Sequence, residues 1–410
     1  MTDLAKAEKK HFRLFLAGAG FSSFALGVNA LLYPWLLVGI LGTRPDQTGA
    51  AMMALMLPPT FLLLWGGALS DGRPLGSLLL RLYALYALPL LILLVITNKS
   101  QLSYVILLLC GLMIGTINAF VQPARESLLG KVAVRPLQGA VARAMIAQYF
   151  GMALGSLIAG NLLPVSLNGV LVIAIVAFFI SGGLMYLSSS SSPSSSPRET
   201  VSLAQISEGL WIVWKDKLLR NLIAVSTITG LLGLGYYFVL LPLLTREIYQ
   251  EASFFLAGLQ ATFLMGGVFC TLVVIRWMPV FSQPGRVLVS STLLRGALLL
   301  AIAMKLPEIF LFMAVFAWGV LSGLSTVVGR SMAQQYGPDE YRSRIISIYQ
   351  LSIFGMAPIG ALVGGLLIDQ LGVLEATGLL GGIILVVAAP YLLRGNVLRD
   401  LRSEAAAKSQ

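Results

Sequence analysis

The sequence predicts an all-α integral membrane protein, with twelve transmembrane helices arranged as two pseudo-symmetric six-helix bundles. Three observations predict this fold: an apolar composition, a series of long apolar runs, and a pattern that occurs twice along the chain. Of the 410 residues, 57% are hydrophobic and 11% are charged, and the mean hydropathy is +0.87. Soluble domains carry about 25% charged residues, so this composition indicates a chain that spans a lipid bilayer.

Each apolar run is long enough to cross the hydrocarbon core of a bilayer, which takes about 20 residues of helix. Backbone groups in lipid must find their partners within the segment, so the runs predict helices rather than separate strands. The alternation of apolar and polar residues that marks a membrane β-barrel does not occur. The predicted spans are 14–41, 48–69, 75–97, 102–123, 139–163, 168–188, 220–244, 253–275, 287–305, 307–330, 345–368 and 374–394.

A short pattern in the fifth predicted span occurs again in the eleventh. The first copy begins at Phe150 and reads Phe-Gly-Met-Ala, and the second begins at Phe354, 204 residues later. A second echo is the sequence Leu-Leu-Arg, which ends at Arg81 and again at Arg295. Two echoes in the same order predict a duplicated transporter fold, with a substrate path between the halves.

A segment of different composition separates the two predicted bundles. Residues 188–200 are rich in Ser and Pro, which predicts a flexible linker. Apolar residues then recur at helical spacing from Leu203 to Lys217, which predicts an amphipathic surface helix anchored by Trp211 and Trp214. The predicted segments are a cytoplasmic N-terminal segment (1–13), the first six-helix bundle (14–188), a cytoplasmic linker with the amphipathic helix (189–219), the second six-helix bundle (220–394) and a cytoplasmic tail (395–410).

The basic residues predict the orientation in the membrane. If the N-terminus is cytoplasmic, 24 of the 28 Lys and Arg residues fall in inner segments, which places both termini in the cytoplasm. The net charge of +11 then follows from this topology and from contact with anionic lipid headgroups, so no nucleic-acid partner is expected. The four basic residues that fall outside the inner segments are Arg44, Lys99, Arg246 and Lys305.

Residues that would carry enzyme or metal chemistry are scarce. Cys110 and Cys270 lie within predicted spans, where small apolar packing is expected, and His11 stands alone in the N-terminal segment. The motifs of P-loop nucleotide sites, zinc proteases and nucleophile elbows do not occur. The sequence therefore predicts no metal site, no cofactor and no enzyme, and it does not support ATP-driven transport.

The plan of two times six helices with an inner linker resembles the major facilitator superfamily over essentially the whole chain. Residues 67–73 resemble the cytoplasmic loop motif of that superfamily, although Gly72 stands where the motif has Arg. Residues 151–160 resemble the Gly-x-x-x-Gly-Pro-x-x-Gly-Gly motif of exporters, with Ser156 and Ala159 substituted. The resemblance implies a monomeric secondary active transporter that works by alternating access.

Three further segments look most like the bacterial subgroup that contains the enterobactin exporters: residues 122–128, 208–220 and 342–349. This resemblance implies a multi-pass protein of the bacterial cytoplasmic (inner) membrane whose partners are the lipid bilayer and a small-molecule substrate. It also implies a proton as the coupling ion, although no predicted span carries Asp, Glu, Lys or His at its centre.

Small residues in spans five and eleven predict close contacts between helices. Because these helices sit between the halves in the family, the resemblance implies a seam that seals one side of the path; the alternative is ordinary helix packing. Pro358 predicts a kink, so we expect span eleven to bend where span five runs straighter. Asp71 is either an inner latch that pairs with Arg73 or Arg81, or a solvated loop carboxylate. The candidate gating residues are Asp71, Arg73, Arg81, Gly151, Gly155, Gly160, Gly355, Pro358, Gly360 and Gly364.

Polar and aromatic residues within the spans are candidates for substrate binding. A mostly apolar pocket with a few hydroxyl, amide and aromatic groups suits amphipathic or aromatic ligands. For each residue the alternative is a role in packing or at the membrane interface. The candidates are Ser22, Asn29, Asn118, Gln122, Gln148, Tyr149, Tyr236, Gln260, Trp318, Tyr349 and Gln350.

Three Arg residues, Arg81, Arg143 and Arg295, lie one to two turns inside the predicted inner ends of their spans. One interpretation is that their side chains extend back to the lipid headgroups. The other is that some of them line the inner mouth and attract an anionic substrate.

The function predicted from these observations is the export of a small amphipathic or anionic molecule, siderophore-like or drug-like, by alternating access between two halves. A first alternative is a transporter of lysophospholipid or another lipid. A second alternative is a membrane sensor or assembly partner that does not transport, because the loop motif is altered and central charges are missing.

Overall fold

The computed structural model describes residues 2–70, 73–99, 101–134, 137–189, 211, 213–277, 283–335 and 341–393. The regular elements in these residues are helices. They are α1 (Thr2–Trp35, extended by a π-helical turn at Leu36–Ile40), α2 (Pro45–Ser70), α3 (Leu75–Asn98), α4 (Tyr104–Val132), α5 (Leu137–Leu162), α6 (Leu167–Ser188), α7 (Lys217–Ile228, Thr229–Gly235, Tyr236–Leu243 and Leu244–Ile248 in succession), α8 (Ser253–Trp277), α9 (Pro284–Ala303), α10 (Glu308–Gln335), α11 (Arg342–Phe354 and Ala357–Leu371) and α12 (Val373–Leu393).

The predicted helical spans are confirmed. Eleven helical stretches of the described chain are long and apolar enough to cross a membrane. Helix α2, with 26 residues, is also longer than the roughly 20 residues that a bilayer requires. The main differences from the predicted bounds are that α1 begins at Thr2 rather than at residue 14, and that α4 and α10 continue further, to Val132 and Gln335.

The helices form two compact units. Unit 1 comprises Met1–Thr200 and Leu241–Met265, and unit 2 comprises Val201–Leu240 and Gly266–Gln410. The end of α7 and the first half of α8 therefore pack with α1 to α6. The division into bundles at 14–188 and 220–394 stays a prediction.

In unit 1, the backbones of α1 and α5 lie in direct contact. A Cβ atom on Gly155 would lie 2.0 Å from the carbonyl oxygen of Phe24, and one on Gly27 would lie 2.1 Å from that of Met152. Both distances are far shorter than any carbon–oxygen contact, so only glycine fits at these two positions. Helix α1 and helix α5 thus each supply a glycine to one tight crossing.

The same arrangement occurs in unit 2 between α7 and α11. A Cβ atom on Gly360 would lie 1.8 Å from the carbonyl oxygen of Leu231, and one on Gly230 would lie 2.2 Å from that of Ile353. The repeated Phe-Gly-Met-Ala pattern therefore belongs, in each copy, to the helix that packs against the first helix of its own half. The duplication predicted from sequence has a matching pair of helix crossings.

Helix α7 carries two π-helical segments, Thr229–Gly235 and Leu244–Ile248. A π segment inserts an extra residue into the helical turn and is frequently found at functional sites. The first segment includes Gly230 and Gly235, which face α11. It also contains Thr229, whose hydroxyl accepts a hydrogen bond from the side chain of Arg295.

Helix α11 is interrupted just before Pro358, where the sequence predicts a kink. Its first part ends at Phe354, a turn follows at Gly355 and Met356, and its second part begins at Ala357 with Pro358 in the first turn. Proline is accommodated there because the first N–H groups of a helix have no intrahelical acceptor. Helix α5 runs without interruption from Leu137 to Leu162.

Most of the predicted amphipathic helix, at residues 203–210, lies outside the described residues, as does the predicted tail at 395–410. Trp211 and Trp214 are exposed, and the Lys215 ammonium lies 3.6 Å from the centre of the Trp211 ring. The Asp216 carboxylate accepts hydrogen bonds from the first N–H groups of α7 and so caps that helix. The anchoring of this segment at the membrane surface stays a prediction.

Two glycines of α1 allow the tight crossing to be tested. We expect Gly27→Ala to destabilise the protein by about 1–3 kcal/mol, because the new methyl group meets a backbone oxygen that cannot move aside. Gly20→Ala is the matched control, since a Cβ atom there has no neighbour within 4 Å. Thermal unfolding of the purified variants in detergent measures the difference. Equal melting temperatures for the two variants would show that the crossing is looser than described.

Candidate functional site

In unit 1, the side chain of Gln260 joins three helices. Its Oε1 accepts a hydrogen bond of 2.7 Å from the Ser156 hydroxyl on α5, and its Nε2 donates one of 3.1 Å to the carbonyl oxygen of Ala30 on α1. Gln260 itself lies on α8 and is 4% exposed. One buried amide therefore connects α1, α5 and α8.

Asn29, next to Ala30, contributes a donor that has no acceptor. It is 7% exposed, and its Nδ2 makes no hydrogen bond with any described residue. A buried amide left unsatisfied costs about 1–3 kcal/mol. Ser22, by contrast, is satisfied within α1, because its hydroxyl donates to the carbonyl oxygen of Ala19. Of these two predicted binding residues, Asn29 is the one with an available donor.

A second group of contacts in unit 1 lies at the ends of α1, α5 and α7 and the start of α8. The Ser253 hydroxyl donates a 2.9 Å hydrogen bond to the carbonyl oxygen of Gly160. A Cβ atom on Gly160 would lie 2.3 Å from that of Ala257, so α5 and α8 touch at this point. The Arg246 guanidinium donates to the carbonyl oxygens of Val38 and Gly39, the latter at 2.7 Å.

The predicted gating residues therefore have different surroundings. Gly151 and Gly155 face the backbone of α1, whereas Gly160 faces α8. In unit 2, Gly360 and Gly364 face α7. Gly355 lies in the turn that interrupts α11. Arg73 and Arg81 are exposed, and Asp71 lies outside the described residues, so the predicted latch at the inner end stays a prediction.

In unit 2, the predicted aromatic residues are buried. The Tyr236 hydroxyl lies 2.7 Å from the Thr377 hydroxyl on α12, and the Tyr349 hydroxyl donates to the carbonyl oxygen of Thr326. The rings of Tyr237 and Trp318 meet edge to face, with centroids 5.6 Å apart. Trp318 also lines a small cavity between α7, α9, α10 and α12. The remaining candidates are half-buried: Asn118, Gln122, Gln148, Tyr149 and Gln350.

Arg295 points into the same cavity, and the interpretation that it extends to the headgroups is wrong. Its side chain is 4% exposed, and the residue lies eleven positions, or about three turns, beyond the start of α9. Its Nη2 donates to the hydroxyls of Thr229, Thr292 and Ser325 at 2.9, 3.1 and 3.2 Å. The predicted bounds of the span placed Arg295 near its inner end and outside the candidate pocket, although Ser291 and Thr292, four and three positions earlier, mark a polar face on α9.

The other two intramembrane Arg residues behave as surface residues. Arg81 and Arg143 are both exposed. The Arg143 guanidinium lies 5.5 Å from the centre of the Phe12 ring, and its Nε donates to the carbonyl oxygen of Gly139 on its own helix. The described residues contain no cluster of His, Cys, Asp and Glu that could hold a metal ion.

Comparison with known proteins places this chain among transporters. Residues 1–410 match the family described as transmembrane secretion effector. The multidrug efflux pump Tap of Mycolicibacterium fortuitum is 27% identical over 407 residues, covering 94% of this chain and 93% of that protein. The multidrug efflux pump Tap of Mycobacterium tuberculosis is 24% identical over 407 residues, covering 95% and 93%.

The fold is also found in solved structures. The nucleoside transporter NupG superposes with a TM-score of 0.73 at 13% identity, covering 93% of this chain and 98% of NupG. At this identity the likeness shows the shared fold alone. It agrees with the major facilitator fold that the sequence resemblance implies.

The link between Ser156 and Gln260 can be measured by a double-mutant cycle. We expect Ser156→Ala and Gln260→Leu each to lower the free energy of unfolding by about 1–2 kcal/mol. The double variant should lose about 1 kcal/mol less than the sum, because both changes break the same hydrogen bond.

Ser181→Ala is the control for this cycle. The Ser181 hydroxyl donates to the carbonyl oxygen of Gly18, elsewhere in unit 1, so its effect should add to that of Gln260→Leu. Denaturant unfolding followed by circular dichroism gives all the values. An additive result for Ser156 and Gln260 would contradict the bond.

Proposed function

Because the chain belongs to the transmembrane secretion effector family of the major facilitator superfamily, we propose that it exports a small amphipathic or anionic molecule by alternating access. The observation that carries this proposal is the match over the whole chain, together with two relatives described as multidrug efflux pumps. The alignments with these efflux pumps cover more than nine tenths of both chains. The likeness therefore favours export over the lipid carrier and the non-transporting sensor.

The substrate contacts are proposed to include Asn29 in unit 1. A buried amide donor without an acceptor is a group that a bound molecule can satisfy. Gln260 fixes the adjacent Ala30 carbonyl and so holds this turn of α1 in place.

Alternating access requires contacts that form in one state and break in another. With the N-terminus in the cytoplasm, Val38, Gly160, Arg246 and Ser253 all lie at the outer ends of their helices. We assign the contacts among them to an outer closure, which must separate for release of the substrate. Within this closure Arg246 holds the end of α1 through charge-assisted hydrogen bonds.

The proposal also includes proton coupling and a monomeric state. It places the protein in a bacterial inner membrane with both termini in the cytoplasm. The carboxylates whose side chains are described lie within about two turns of a helix end, as Glu126 and Asp369 do. A proton-driven mechanism would therefore use groups at the helix ends rather than at the membrane centre.

Export can be tested in vesicles with a pH gradient and three dyes: anionic carboxyfluorescein, neutral Nile red and cationic rhodamine 6G. We expect flux of at least one dye that stops when the gradient is dissipated. Asn29→Leu should lower the initial rate about tenfold, because one hydrogen bond to the substrate is lost. Asn161→Leu is the control, since Asn161 is exposed and bonds only to its own helix.

Labelled lysophospholipid in the same vesicles distinguishes the lipid transporter, which is the first alternative, from the proposed exporter. Flux of the lipid without flux of any dye would replace the proposed function with lipid transport. Absence of all flux from properly folded protein would contradict both. Dye export that is equally fast in wild type and Asn29→Leu would remove Asn29 from the site.

The outer closure predicts a change in accessibility. In a protein with Cys110→Ser and Cys270→Ser, we expect Ala257→Cys to react slowly with a membrane-impermeant maleimide in intact cells, because Ala257 is buried against Gly160. Adding Arg246→Gln should raise the labelling rate about threefold or more, since the bonds to α1 are lost.

Lys99→Gln is the control for the loss of a positive charge at the same side of the membrane. It should leave the labelling rate unchanged. Unchanged labelling in Arg246→Gln as well would show that Arg246 does not hold the closure.

A further inference from the structure

Arg295 is a cation buried within unit 2 without an anion beside it. No described carboxylate lies within 4 Å of its guanidinium, and the carboxylates of α9 to α12 lie at helix ends, at Glu308, Asp369 and Glu375. The guanidinium keeps its proton under all physiological conditions. Ionisable residues within membrane spans are almost always paired, so we expect a negatively charged partner for Arg295.

The hydrogen bonds of Arg295 do not supply that partner. The hydroxyls that accept from Nη2 are neutral, and two of them donate their own protons onward, Thr229 to the carbonyl of Val225 and Thr292 to that of Leu288. The Nε bonds to the carbonyl oxygen of Ser291 on the same helix. These contacts orient the side chain and leave its charge uncompensated.

The remaining nitrogen, Nη1, lies beside Gly233 of the π segment. It makes no hydrogen bond with a described residue, and a Cβ atom on Gly233 would lie 3.3 Å from it. A cavity of about 10 Å³ adjoins the guanidinium, which is room for one guest about the size of a water molecule. Its other walls are mostly apolar: Ile228, Leu232, Leu299, Trp318 and Ile384.

From this geometry we propose that Arg295 and the adjoining cavity form a binding site for a monoatomic monovalent anion of the size of a chloride ion. A single negative charge neutralises the guanidinium, whereas a neutral guest leaves the charge as it is. A large anion does not fit the space. The site lies wholly within unit 2 and does not depend on the proposed export.

The test is the melting temperature of the purified full-length protein in detergent. Sodium chloride replaces sodium gluconate at constant ionic strength, and sodium acetate serves as a monovalent anion that is too large for the cavity. We expect a saturable rise with chloride and none with acetate, because a ligand that binds the folded state alone stabilises it. An equal rise with acetate would contradict the assignment of the anion to this cavity.

Arg295→Gln should weaken the apparent affinity for the anion at least about tenfold. Lys305→Gln, which removes an exposed positive charge just beyond the end of α9, should leave it unchanged. Gly233→Ala keeps the charge and adds a methyl group near Nη1. It should weaken binding about threefold or more, and it serves as the test if Arg295→Gln does not fold.

The proposal is overturned if chloride gives no saturable rise in the wild-type protein. It is also overturned if Arg295→Gln, or Gly233→Ala in its place, keeps the full affinity. Because this assay involves no transport, a negative result leaves the dye-export experiment unaffected, and loss of dye export leaves this site unaffected.

Discussion

Direct contact between helix backbones is the constraint on which the other features depend. In unit 1, Gly155 and Gly27 let α5 and α1 touch, and the residues that follow them carry the polar cluster. Ser156 comes directly after Gly155, and Ala30 comes three residues after Gly27, so both reach Gln260. A side chain in place of either glycine would move these groups by more than a hydrogen bond tolerates.

In unit 2 the same kind of crossing positions a different site. Gly230 and Gly360 bring α7 and α11 together, and the π segment that contains Gly230 also presents Thr229 to Arg295. A charged side chain at the centre of a span costs about 2.5–3.5 kcal/mol on insertion scales. Three hydroxyl acceptors around one nitrogen reduce that cost, and the packing of the glycines holds them in place.

Hydropathy predicted the spans, and Pro358 predicted an irregularity in α11 as a bend, because both signals act locally. Sequence periodicity predicted that Gly151 and Gly155 face another helix, but periodicity identifies a face and not the partner. The partner of both is α1 within the same unit. Arg295 shows the same limit, since its own helix reveals Ser291 and Thr292, whereas Thr229 and Ser325 come from helices far away in sequence.

The two copies of the duplicated pattern have diverged in the continuity of their helices. The pair α1 and α5 crosses with unbroken α-helix on both sides, whereas α7 has a π segment and α11 has a turn at the matching crossing. Each irregularity leaves local backbone groups to be satisfied by other means. The Leu-Leu-Arg echo has diverged in parallel, with Arg81 exposed and Arg295 buried beside the π segment. The irregular backbone and the buried charge belong together, because the π segment supplies both Thr229 and the side-chain-free surface of Gly233 that the guanidinium occupies.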